Sequence, residues 1–105
     1  MSRTQTPWYV LQSPELGKAF ESFYQVCNEN GVLDKKTKEL LMLALTAVFR
    51  CPSCTEEHLK RAFGAGATKQ EIAEVLLIAA AEGACTQLAS EKQMCLKYLG
   101  ATRKE

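Results

Sequence analysis

Alternating runs of β-branched and aromatic residues are missing from this chain, and without them there is no strand signal and no expectation of a sheet. An excess of one charge is also missing. Thirteen Lys and Arg stand against 12 Asp and Glu, leaving a net charge of +1, which removes the electrostatic case for nucleic acid or a membrane surface as partner. The longest apolar run, Leu40 to Phe49, is half of the roughly 20 residues that span a bilayer. Residues 1–12 lack a basic segment followed by an apolar one, so neither a membrane helix nor a secretory signal is expected. Repeats, linkers and low-complexity segments are absent, and 105 residues allow one domain. Nothing resembles a flavin, nicotinamide or haem site, so electrons for any redox step must come from another protein or a small thiol.

Cysteine is what the chain has. Five is an odd number, so a fully paired disulfide framework would leave one over. Cys27, Cys85 and Cys95 each stand alone among apolar neighbours and read as buried, inert core residues. That leaves Cys51 and Cys54 as one working pair and points to a reducing, cytoplasmic setting.

The pattern reads as helix after helix, an all-α bundle of five to six helices. Residues 1–12 are expected to form an extended arm with Trp8 and Tyr9 as anchors, 13–100 the helical domain, and 101–105 a frayed tail. Ser13-Pro14-Glu15 opens a helix that Asn30-Gly31 closes, with Leu16, Phe20, Phe23 and Cys27 along one stripe. Asp34 caps a second helix to about Phe49, apolar nearly all round from Leu40 onward. A third runs from Cys51 or Pro52 to Gly64-Ala65-Gly66. Thr68 and Glu71 form the capping-box pattern of a fourth, which buries Ile72, Val75, Leu76 and Ala79. Gly83 marks a break, and Ala84 to Leu99 reads as a last helix carrying Leu88, Cys95 and Leu99. Met42, Met94, Phe20, Phe23 and Phe49 sit at core spacing. The apolar second helix and the small-residue stretches Ala44 to Ala47 and Ala79 to Ala84 point to an obligate oligomer.

The chemistry concentrates in Cys51-Pro52-Ser53-Cys54-Thr55-Glu56-Glu57-His58, which ends in the only histidine of the chain. At roughly 100° per residue, Cys51, Cys54 and His58 share one helix face. Pro52 suits the first helical position and places Cys51 at the N-cap, where the helix terminus favours a thiolate. His58 lies one turn beyond Cys54 and can accept its proton. Glu39, at the edge of the apolar helix, needs a partner if it is buried, and an imidazole would serve. A Glu39–His58–Cys54 proton relay follows, while the N-cap position keeps Cys51 a competitor for the attacking role.

Glu39, eleven intervening residues, Cys51-Pro52-Ser53-Cys54, three more and His58 together resemble the signature of the alkyl hydroperoxidase D (AhpD)-like branch of the carboxymuconolactone decarboxylase family. The likeness extends through Lys38-Glu39-Leu40-Leu41-Met42-Leu43-Ala44 before it and Gly66-Ala67-Thr68, Glu71-Ile72 and Glu74 after it, covering about residues 14–100. The resemblance implies an all-helical fold assembled as a homotrimer or homohexamer, and an alkylhydroperoxidase-like peroxidase or thiol–disulfide oxidoreductase with an antioxidant role. It further implies Cys54 as the thiol activated through His58 and Glu39, and Cys51 as its disulfide partner. The substrate would be a hydroperoxide or a disulfide. No cofactor is bound, and an external dithiol, such as a lipoyl-bearing protein, restores the thiols. The branch that decarboxylates lactones lacks the cysteine pair. Some peroxidase members carry an extra histidine between the cysteines where this chain has Pro52-Ser53, which favours disulfide exchange over peroxide turnover.

Two other readings of the same residues stand beside this one. Cys51, Cys54 and His58 supply three zinc-type ligands, with Glu39 or a cysteine of a second chain as the fourth. Alternatively, the chain is a non-catalytic oligomer that senses redox state or binds a small ligand near the cysteines. The run Lys35-Lys36-Thr37-Lys38 reads as a solvated first turn, or as a docking patch for an acidic partner.

Overall fold

The computed structural model describes residues 5–29 and 31–100. The first four residues of the expected arm, Asn30 of the expected stop signal and the expected tail at 101–105 lie outside them. Six helices follow one another: α1 (Trp8–Gln12), α2 (Pro14–Asn28), α3 (Lys35–Val48), α4 (Pro52–Gly64), α5 (Lys69–Ser90) and α6 (Lys92–Leu99). The described residues contain no strand.

Local sequence places the helix starts. Asp34 accepts a hydrogen bond from the Thr37 amide at 2.8 Å and caps α3. Thr68 and Glu71 form a reciprocal capping box at α5, with bonds of 2.8 and 3.0 Å. Ser13 occupies the N-cap position of α2 with Pro14 behind it, but its side chain makes no capping bond. The end of α3 is a Schellman turn: the Cys51 amide donates to Thr46 O at 3.1 Å and the Arg50 amide to Ala47 O at 3.3 Å. Arg50 holds the left-handed position at φ 61°, where glycine is the usual choice and a side chain costs about 1 kcal/mol. That turn delivers the chain into α4 with Cys51 as N-cap.

The core lies where α3, α4 and the first half of α5 meet. Leu43, Ala62, Ala67 and Ile72 are buried, with Leu40, Leu59 and Leu76 packed against them. Leu43 is fully covered, which contributes roughly 1.5–3 kcal/mol relative to exposure. A second unit is the α1–α2 hairpin, in which α1 rests on α2 at Gly17. A β-carbon at Gly17 would stand 2.7 Å from Val10 Cα, so only glycine allows this approach. The molecule is elongated, with extents of 62 × 36 × 26 Å.

Several expectations are corrected. The arm is not extended throughout: Trp8 to Gln12 is a turn of helix, with Val10 buried against α2. Gly83 does not interrupt α5, which runs through it to Ser90. A helix-interior glycine costs only about 1 kcal/mol, less than the neighbouring turns supply. The break falls at Glu91 instead, next to Ser90, whose hydroxyl bonds the Gln87 carbonyl. Cys85 and Cys95 are exposed and Cys27 is half-buried, not core. Phe20, Phe23, Phe49 and Met94 are likewise exposed, as are Leu88 and Leu99. Their helical spacing is correct, but the described residues leave these side chains largely uncovered, Phe20 alone keeping an edge contact with Tyr9 at 5.7 Å from α1. The longest apolar segment is also underestimated by the run Leu40 to Phe49, in which Thr46 is the one polar residue. α5 has the length and composition of a bilayer-crossing helix, with a mean hydropathy of 1.5 over 18 residues that are only 6% buried.

Candidate functional site

α3 and α4 place the predicted residues side by side. Glu39, in the second turn of α3, is fully buried, and His58, in the middle of α4, is buried opposite it. His58 Nδ1 and Glu39 Oε1 are 3.0 Å apart. A carboxylate accepts, so Nδ1 carries the proton and Nε2 is left as the ring's free acceptor. Cys54 lies one turn before His58 on the same helix, and its sulfur is bonded to Cys51, with the two Cα atoms 5.3 Å apart. No hydrogen bond joins His58 to either sulfur among the described residues. Cys51 is the N-cap of α4, and its sulfur accepts from the Cys54 amide at 3.3 Å, so the terminus stabilises negative charge there. Ser53 Oγ lies 3.8 Å from the Cys51 sulfur.

The other carboxylate oxygen is held by two cations. Lys35 Nζ donates to Glu39 Oε2 at 3.0 Å and Arg61 Nη2 at 2.8 Å. Arg61 also bonds the Asn28 side chain, and Lys35 bonds the Asn28 carbonyl at 3.2 Å, which ties the end of α2 to the site. Burial alone raises the Glu39 carboxyl. The bonds from His58 and Lys35 and the charge of Arg61 outweigh it and hold the pKa below its ordinary 4.5. Glu39 is therefore ionised at neutral pH and orients the imidazole without taking its proton. Neither Lys35 nor Arg61 was singled out by the sequence as part of the site. The signal was there: Lys35 precedes Glu39 by four residues on α3, and Arg61 follows His58 by three on α4, so each shares a face with its partner.

Cys51 opens onto a cleft of about 410 Å³, lined also by Ala47, Arg50, Pro52, Glu56 and Leu59. Two threonines brace its floor: Thr55 Oγ1 donates to the Cys51 carbonyl at 2.9 Å and lies 3.3 Å from Thr46 Oγ1, which donates to the Leu43 carbonyl at 2.8 Å. Lys36 of the basic run pairs with Glu71 at 2.8 Å, joining α3 to α5, so it is more than a solvated turn. Both partners are over a third exposed, so solvent screens the pair and it adds little to stability. With the sulfurs joined to each other, no group of three His, Cys, Asp or Glu side chains among the described residues is arranged to hold a metal ion.

An all-helical frame with a CxxC pair, a histidine one turn on and a buried glutamate behind it defines the class. A crystal structure of a Methanobacterium thermoautotrophicum protein shares the frame, with a TM-score of 0.75 at 28% identity, covering 82% of this chain and 97% of that one. The sequence pattern of the carboxymuconolactone decarboxylase family matches residues 14–90, and the chain belongs to that family. Among curated relatives, uncharacterized protein 4 in cox locus of Paracoccus denitrificans is 42% identical over 62 residues, 59% of this chain and 56% of that protein. An uncharacterized protein of Haemophilus influenzae is 38% identical over 51 residues, 49% of this chain and 45% of its own. The chain thus spans about half the length of the curated relatives it matches.

Proposed function

We propose that the protein is a thiol-dependent oxidoreductase that cycles Cys51 and Cys54 between dithiol and disulfide, with hydroperoxides or disulfides as oxidant. The observation that carries this reading is the buried Glu39–His58 pair, fixed one helical turn from a sulfur that already bonds its neighbour. Glu39 holds the proton on Nδ1, and Nε2 takes the proton of Cys54. With a hydroperoxide, the Cys54 thiolate attacks the distal oxygen. The O–O bond breaks, and the alkoxide leaves as alcohol with the proton from His58. Cys51 then attacks the sulfenic acid at Cys54, the S–S bond closes and water departs. An external dithiol returns two electrons by exchange, entering at Cys51, which lines the cleft, and expelling Cys54 as a thiolate one turn from His58, whose free Nε2 takes up a proton that the dithiol releases. Ser53 cannot relay a proton near neutral pH, so exchange with disulfides is the faster half of the chemistry.

The working form is a homotrimer or homohexamer in this reading. Leu77, Ile78, Leu88, Tyr98 and Leu99 are 60–81% exposed on α5 and α6, far more apolar surface than a lone chain keeps in water. Glu74 and Glu82 interrupt the apolar face of α5 and favour another copy of the chain over lipid as its cover. A cytoplasmic location follows from the dithiol chemistry.

Thiol titration tests the mechanism. One equivalent of hydroperoxide should remove two of the five thiols per chain, and Cys54→Ser should abolish turnover supported by a dithiol. Wild-type activity in the Cys51→Ser, Cys54→Ser double variant would overturn it.

A further inference from the structure

We infer that the cleft beside Cys51 is a binding site for thiols that carry a carboxylate, and that Arg50 is the group that selects them. The inference rests on the redox reading and adds a substrate class to it. Two observations carry it. Arg50 occupies the left-handed end of α3 at φ 61°, a position where glycine would relieve the backbone, yet the residue here has a long cationic side chain. Among the described residues no ion pair or side-chain hydrogen bond engages its guanidinium, although Arg50 lines the same cleft as Cys51 as well as a neighbouring one against α5. The contrast with Arg61 and Lys35 is direct, since both are committed to Glu39.

The surroundings fit the class. Ala47, Pro52 and Leu59 give the cleft an apolar wall for a short carbon chain, and Arg50, which lines it too, carries a guanidinium whose planar fork can offer two parallel donors to a carboxylate. Glu56 also lines it, but its carboxylate is turned toward Lys60, 3.9 Å away, and both are exposed. A thiolate whose carboxylate is held by Arg50 is delivered next to Cys51. It attacks the Cys51 sulfur, the Cys51–Cys54 bond breaks, and the electron pair leaves on Cys54 as a thiolate, which takes up from solvent the proton that the ligand thiol released on ionising. A second thiolate attacks the ligand's sulfur in the mixed disulfide, frees Cys51 as thiolate and departs as the ligand disulfide, so two thiols are oxidised and one protein disulfide is reduced.

The test uses the full-length oxidised protein and two probes that differ in charge alone, 3-mercaptopropionate and 3-mercaptopropionamide. Rates of disulfide opening are followed by quenched alkylation and mass, and the acid-to-amide rate ratio is compared between proteins, which cancels intrinsic thiol reactivity. Replacement by Arg50→Gly should lower that ratio roughly two- to tenfold at low ionic strength, as expected for one partly exposed charge pair. Arg50→Lys should keep part of it, and salt should erode it in the wild type. Because Arg50→Gly relaxes the turn, its melting temperature should match or exceed that of the wild type, so a lost ratio cannot be ascribed to misfolding. An unchanged ratio, or equal slowing of both probes, overturns the inference while leaving the redox cycle intact. A disulfide that neither probe opens contradicts the redox reading itself.

Discussion

Glu39 is the residue on which the site depends, because a fully buried carboxylate persists only while its partners do. Its folded pKa lies below the ordinary value, so the stability it contributes is fully present above about pH 4.5 and is lost as pH falls through the lowered pKa. Urea titrations should therefore show a stability decline below pH 4.5 that Glu39→Gln removes. At pH 7 the same substitution should cost about 3 kcal/mol, the low end for breaking a buried pair, because Lys35 is half exposed and can turn to water. Equal acid sensitivity in both proteins would contradict this. The pairing of Glu39 with His58 was legible in the sequence because a carboxylate beside an apolar run demands a partner and the chain has one histidine. The cations were not legible. Lys35 and Arg61 look like ordinary solvated residues until two helices fix which faces meet.

Helix starts were legible for the same local reason, since Asp34 and Thr68 cap within three residues of their own position. Thr68→Ala should cost about 1 kcal/mol through loss of the cap, measured by denaturant unfolding. Helix ends and neighbours were harder. Gly83 is a strong punctuation mark in sequence, yet α5 continues through it, and the short α1 carries no capping signal. What holds α1 is tertiary: Gly17 lets Val10 sit on α2. Gly17→Ala should push the two apart, lowering stability by about 1–3 kcal/mol and making residues 8–12 cleavable by protease. Unchanged stability and protection would mean that the hairpin is not packed as described.

At the scale of the whole molecule, Ile72 and Leu76 at the start of α5 join the core as the stripe implies, whereas Cys85, Cys95 and Met94 further along, read as core, are exposed in one chain. Periodicity reports that a face must be covered and says nothing of which chain covers it. The exposure of Cys85, Cys95, Leu88 and Leu99 in one chain is the consequence. Sedimentation at micromolar concentration should give three or six times the chain mass of 11.6 kDa, and Leu77→Glu with Leu88→Glu should shift the protein to smaller species. A wild-type species of one chain mass would contradict the assembly.

The most direct test of the proton relay is the pH dependence of alkylation at Cys54 in the reduced Cys51→Ser protein, read by peptide mass to separate it from the other thiols. The account predicts that Cys54 reacts with an apparent pKa well below the ordinary cysteine value of about 8.5. Adding His58→Gln should return it to that value. Superimposable profiles with and without the imidazole would show that His58 does not activate the thiol, and the mechanism would fall.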